Sequence, residues 1–156
     1  MSKRFYQYSQ QPTRTTVFKG SDVGFNSDYS YGGGQWGTFV NFTYNPLISN
    51  SNVFIEVFAP YTSNYSAQNN TWTSDIKVNN AEVGYNIQYW QNNTGGGTLS
   101  GALFPLAGNF YNLNQPSINI QVAVGRTQGG STLSVKQSGF FIKITEIGLD
   151  NQAFTF

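Results

Sequence analysis

Apolar residues recur along this chain with a period of two, and no window of useful length shows the i, i+3, i+4, i+7 spacing of an amphipathic helix. The clearest stretch runs from Ser117 to Gly125. There Ile118, Ile120, Val122 and Val124 point one way, and Asn119, Gln121 and Ala123 the other. "TFVNFTY" sets Val40, Phe42 and Tyr44 on one face and stops at the turn dipeptide Asn45-Pro46. "VGYNIQYW" alternates Tyr85, Ile87 and Tyr89 against Asn86, Gln88 and Trp90, then gives way to the loop "QNNTGGGT". "GALFPLAG", "STLSVKQ" and "FFIKITEI" supply further strands, and "TRTTVF" a short first one. "SDYSYGGGQWG" and "APYTSNYSAQNNTWTSD" read as long loops. About eight strands at these spacings, with no internal repeat, predict one all-β antiparallel domain, a sandwich or barrel.

Two strands depart from a simple inside/outside pattern. "VFIEVF" places Val53, Ile55 and Val57 on one face, but Phe54 and Phe58 on the other, around Glu56. "GFFIKITEIG" places Phe140, Ile142 and Ile144 on one face, and Phe141 and Ile147 on the other, around Lys143 and Thr145. An antiparallel sandwich strand needs one apolar face only. The second face on Phe54, Phe58, Phe141 and Ile147 therefore predicts burial against another copy of the chain; loops folded over these residues are the simpler alternative.

Composition narrows the chemistry. Aromatic residues make up 17% of the 156-residue chain and charged residues 10%, with no cysteine and no histidine. A disulfide framework and thiolate or imidazole chemistry are excluded. No apolar run reaches the length of a membrane span and no signal peptide opens the chain, so synthesis in a cytosol is expected. The charge is uneven. The first twenty residues carry Lys3, Arg4, Arg14 and Lys19 with no acid; the remainder carries four bases against seven acids. That asymmetry divides the chain into a basic N-terminal arm, residues 1–20, and a mildly acidic body, residues 21–156. In the arm, Lys3, Arg4 and Arg14 with Phe5, Tyr6 and Tyr8 could add an extended segment to a neighbour's sheet edge, the cations facing an acidic partner. Four cations are too few for the footprint of a nucleic-acid binder.

No catalytic constellation stands out. Among Asp22, Asp28, Glu56, Asp75, Glu82, Glu146 and Asp150 no spacing marks a carboxylate pair, so the chain reads as a non-enzyme that needs no cofactor. Asp22, Asn26 and Asp28 offer oxygens that calcium accepts, but off the EF-hand spacing; the same residues also form turns by themselves. "GGGQWG" and "TGGGT" lack the Lys-Ser/Thr of a phosphate loop. Trp36, Trp72, Tyr61 and Tyr65, with Tyr29 and Tyr31, lie in or beside the long loops, where flat rings either stack on sugars or pin the loops to the sandwich.

The order of segments resembles the C1q/TNF-like jelly rolls of tailed-bacteriophage structural proteins. "VNFTYNPLISNSNVFIEVFAPY" is similar to their early paired strands, "GYNIQYWQNNTGGGT" to a central strand and its loop, "PSINIQVAVGRT" to a later strand and "SGFFIKITEIGLD" to the terminal one. The resemblance runs from Thr38 to Asp150 and implies a homotrimeric jelly roll with the terminal strand near the threefold axis. It further implies a capsid decoration (cement) protein on the outer virion surface, whose partners are its own copies and the major capsid protein. The alternative is a fibre head that binds a host-surface glycan through Trp36, Trp72, Tyr61 and Tyr65. The lack of a shaft favours decoration.

Overall fold

The computed structural model describes residues 12–32, 36–59, 62–66, 70–90, 97–100, 104–128 and 132–149. Twelve strands occur among them: β1 (Thr13–Lys19), β2 (Tyr29–Tyr31), β3 (Gly37–Tyr44), β4 (Asn50–Phe58), β5 (Thr62–Ser66), β6 (Asn70–Val78), β7 (Ala81–Trp90), β8 (Gly97–Ser100), β9 (Leu106–Leu113), β10 (Ile118–Gln128), β11 (Thr132–Val135) and β12 (Phe141–Gly148). A single 3-10 turn, Gly20–Val23, follows β1 and ends on Gly24, whose φ of 79° suits a residue without a Cβ.

The long strands pair as though the chain were folded in half and then rolled. First pairs with last (β1 with β12), then β3 with β10, β4 with β9 and β6 with β7, all antiparallel. Two further pairings, β12 with β4 and β10 with β6, join them into sheets ordered β1-β12-β4-β9 and β3-β10-β6-β7. That is the double Greek key of a jelly roll. The expected all-β antiparallel sandwich is what the chain adopts. Period-two alternation turns Val53, Ile55, Val57, Ile142 and Ile144 of the first sheet onto Val40, Ile76, Ile118, Ile120 and Val122 of the second, all buried. Each such side chain contributes about 1.5–3 kcal/mol by leaving water.

The two ends of the roll differ. Strand direction reverses at every connection, so the links β1–β3, β4–β6, β7–β9 and β10–β12 share one end. Each contains one short strand, and these pair as a third sheet, β2-β11-β5-β8, which caps that end. The opposite end is closed by tight turns. Asn79 and Asn80 take φ of 50° and 67° in a two-residue hairpin, the left-handed conformation asparagine tolerates. Asn79 Oδ1 accepts from Asn119 N at 2.9 Å and its Nδ2 donates to Gln115 at 2.8 Å.

At one sandwich edge the sheets meet backbone to backbone. A Cβ on Gly84 of β7 would run into the Ala107 carbonyl of β9 and lie 3.1 Å from Gly108 Cα; one on Gly108 would lie 2.9 Å from Val83 Cγ2. Gly84→Ala is therefore expected to force these strands apart and cost about 1–3 kcal/mol. Thermal unfolding should fall by about 3–10 °C; an unchanged midpoint would show that the edge has room.

Three expectations need correction. The stretch ending in "NNTWTSD" is not all loop: Asn70–Val78 is β6, at the centre of the second sheet. The strand expected in "GALFPLAG" begins later, at Leu106, and runs to Leu113. The arm boundary at residue 20 also cuts through the fold. Thr13–Lys19 is the edge strand of the chain's own sheet, in register from Thr13 opposite Ile147 to Lys19 opposite Phe141. Arg14 thus belongs to the sandwich, exposed on β1. Lys3, Arg4, Phe5, Tyr6 and Tyr8 lie outside the described residues.

Candidate functional site

The two strands with two apolar faces are neighbours. Across β12 and β4, Phe141 stands opposite Phe58, Lys143 opposite Glu56, Thr145 opposite Phe54 and Ile147 opposite Asn52. Because Ile55, Val57, Ile142 and Ile144 point into the core, the pleat sends Phe54, Phe58, Phe141 and Ile147 to the outer face together. On one side β1 adds Thr15 and Val17 to this face; on the other, β9 adds Ala107, Asn109 and Tyr111.

This face is greasy at its margins and neutral at its centre. Phe58 and Phe141 stack with ring centroids 4.5 Å apart and planes 14° from parallel. Phe54 is 36% exposed, Val17 57% and Tyr111 59%. Between them Lys143 Nζ meets Glu56 Oε2 at 2.6 Å, an ion pair that cancels its own charge. The small residues Ala107 and Gly108 leave a hollow of about 330 Å³ beside Phe54, bounded by Glu56 and Thr145. A second hollow of about 540 Å³ lies at the end of the same sheet, bordered by Val17, Lys19 and Phe141.

Beneath β12, on its core side, sits Glu146, fully buried. Its carboxylate accepts from the Tyr44 hydroxyl and from the N–H groups of Leu47 at 3.0 Å and Ile48 at 2.8 Å, so one side chain ties the β3–β4 turn to the terminal strand. Burial first, and then the Glu146 hydrogen bond and charge, push the Tyr44 hydroxyl up to about 12.

The loop aromatics do not form one surface. Trp72 is fully buried in β6, its ring 6.3 Å from that of Tyr31. It is a core residue and is removed from the sugar-contacting set. Tyr61 lies outside the described residues; Tyr65 stands in β5 opposite Thr132, its side chain outside them as well. Trp36 remains, 43% exposed, on the outer face of the second sheet. Of the residues considered for calcium, Asp22 and Asp28 have other work. Asp22 accepts from Lys19 N at 2.8 Å. Asp28 accepts from Lys136 Nζ and from Gln137 N, both at 2.9 Å, contacts that hold its carboxyl below the usual range.

No protein-family model matches the chain, and no curated protein does. Among solved structures it is similar to the insecticidal delta-endotoxin Cry8Ea1 from Bacillus thuringiensis, with a TM-score of 0.34 and 14% identity over 79% of this chain and 20% of that one. It is also similar to a chain in the structure of infectious bursal disease virus Gx strain, with a TM-score of 0.37 and 11% identity. That likeness covers 95% of this chain and 42% of the viral one, so the chain spans less than half the length of either neighbour.

Proposed function

We propose that this chain is a structural protein of a virion: a homotrimer, packed through the outer face of the β1-β12-β4-β9 sheet, that decorates the capsid and bridges major capsid subunits. The observation that carries this reading is the set of half-exposed Phe54, Val17 and Tyr111 around the stacked Phe58–Phe141 pair. Apolar surface of this kind marks an interaction site. A second copy is the favoured occupant because Phe54 and the hollow beside it lie on the same surface. A head-to-tail contact around a threefold axis needs each molecule to present both knob and hole. The internally cancelled Glu56–Lys143 pair supports this too, since it offers no net charge for a charged partner to match. The threefold order and the capsid location rest on the resemblance of the strand sequence to C1q/TNF-like phage domains.

In this role the protein works mechanically, its added interface area resisting the pressure of the packaged genome. Basic residues ahead of β1 would reach the capsid. Mass spectrometry of purified particles should find the chain at a stoichiometry comparable to that of the major capsid protein. Removing residues 1–11, which spares β1, should abolish this occupancy while leaving the trimer intact. A stoichiometry typical of a tail or fibre appendage would favour the fibre-head reading, of which Trp36 is the surviving element.

A further inference from the structure

Beneath the exposed rings on the outer face of the second sheet lies a charged side chain that neither the core nor the proposed interface uses. Asp75 of β6 is 1% exposed. Its Oδ2 lies 3.3 Å from Lys77 Nζ, and its Oδ1 has no hydrogen-bond partner. Thr73 Oγ1, two residues back on the same face, has none either. Trp36 covers them, settled on β10 where a Cβ on Gly125 would approach its ring to 3.0 Å, with Tyr85 beside it at a centroid distance of 6.1 Å. Lys77 Nζ is also 5.7 Å from the Trp36 ring centroid, so one ammonium serves both the buried carboxylate and the indole.

A carboxylate in this position is costly, because burying a charge with one oxygen unmet favours the neutral form. Burial accordingly pushes the Asp75 carboxyl up from its ordinary value; Lys77 opposes the rise, Glu82 adds to it and the Ala123 N–H opposes it. Among the described residues, the titratable groups facing Asp75 are Lys77 on its own strand and Tyr85 and Glu82 on β7. From β10 come Gln121, Ala123 and Gly125, and from the segment ahead of β3 Trp36, none of which titrates.

We propose that Asp75 and Lys77 form an acid-released clasp on Trp36. With Asp75 ionised, the ammonium is held between carboxylate and indole. With Asp75 protonated, that pull is gone and Lys77 swings away from the ring into solvent. The Lys77 side chain is already 31% exposed, so the swing needs no opening of the sheet. The fold stays intact, because a neutral carboxyl is easier to keep buried than the ion. Its new O–H also donates where the carboxylate could only accept, with the unpartnered Thr73 hydroxyl on the same face. The outer face then gains one net positive charge beside the exposed Trp36, Tyr85 and Ile87. The folded chain binds this proton more readily than the unfolded one, so the stability linked to Asp75 is whole below about pH 4 and drains as the pH rises through the raised value. Asp28, whose carboxyl Lys136 and Gln137 hold low, contributes in the opposite sense, so the clasp shows in residue-resolved titration rather than in overall stability. It lies on the sheet away from β1-β12-β4-β9 and is independent of the oligomer.

The test is an NMR titration of the full chain from about pH 7 to about pH 3, following the Asp75 side-chain carboxyl carbon and the Lys77 ε-methylene protons. The Asp75 midpoint should lie above the ordinary aspartate value of about 3.9. At neutral pH the Trp36 ring current should displace the Lys77 ε-methylene resonance, and the displacement should vanish with the Asp75 midpoint. Trp36→Ala should remove it at every pH, and so should Asp75→Asn. In Lys77→Met the Asp75 midpoint should rise further, because the opposing cation is gone. Should Asp75→Asn fail to fold, Lys77→Met and Trp36→Ala decide the matter. An Asp75 midpoint at or below about 3.9 overturns the proposal, as does one that Lys77→Met leaves unmoved. So does a Lys77 resonance that holds its place while Asp75 titrates, or loss of the folded spectrum before Asp75 has titrated.

Discussion

Glu146→Ala is expected to cost about 3–5 kcal/mol, the largest loss of stability from any single polar substitution proposed for this chain. Three donors converge on the carboxylate: the Tyr44 hydroxyl and the Leu47 and Ile48 N–H groups. Truncation strands all three at the end of a sandwich where Glu146 itself is fully buried. Each stranded buried donor costs about 1–3 kcal/mol, partly relieved if water enters. Thermal unfolding should fall by about 10–15 °C, and Glu146→Gln should recover only part of this because its amide N–H₂ is a donor set among donors. A midpoint within about 3 °C of the parent would mean that the β3–β4 turn holds without the carboxylate. Alkali probes the same contact. The Tyr44 hydroxyl is raised to about 12 in the fold, above the ordinary tyrosine value of about 10. The folded chain therefore keeps a proton that the unfolded chain releases. The stability linked to it is whole below about pH 10 and drains as the pH climbs toward about 12. Tyr44→Phe should flatten that decline.

Which parts of this structure could be read from sequence follows from how each strand is buried. Strands with one core face and one polar or apolar outer face, such as Ile118–Val124 and Phe141–Ile147, announce themselves because alternation survives in their side chains. From them came the outer-face set Phe54, Phe58, Phe141 and Ile147, which the structure places on one surface. β6 stayed hidden because its buried positions Thr71, Thr73, Ser74 and Asp75 are polar, leaving Trp72 to look like a loop aromatic. Its polarity has two sources: Ser74 lies on the core side opposite Val124, while Thr73 and Asp75 are covered on the outer side by the Trp36 cluster. The cap strands β2, β5 and β8 span three to five residues each, too short for a period to register, whereas β11 was legible in "STLSVKQ" through the alternating Leu133 and Val135. Glu146 looked like one acid among seven. Only the fold shows that the turn "NPLIS" is closed upon it. The Lys77–Asp75 pair is two apart on one strand, a spacing that means proximity only once the segment is known to be extended.

Replacing Phe54 and Ile147 together by Asp should convert the protein from an oligomer into a folded monomer. The choice of residues separates association from folding. Phe58 and Phe141 stack on each other within the chain, so altering either would also weaken the sandwich. Phe54 is 36% exposed opposite Thr145 and Asn109, and Ile147 sits near the sheet's end between Thr13 and Asn52; neither takes part in the ion pair at the centre. Each apolar side chain buried by a sister molecule contributes about 1.5–3 kcal/mol. Losing two, and desolvating a carboxylate in place of each, raises the dissociation constant by at least about a hundredfold to ten-thousandfold. Sedimentation at micromolar concentration should move from a multiple of the 17.3 kDa chain mass to that mass itself, with far-ultraviolet circular dichroism unchanged. If the unaltered chain already sediments as a monomer, the face has no sister to cover it and the decoration reading fails. If both forms remain oligomeric, the copies meet elsewhere, and the exposed Val17, Phe54 and Tyr111 need another occupant. The Trp36→Ala variant should leave this oligomer untouched, because Trp36 lies on the opposite sheet, whose strands share no pairing with the apolar face.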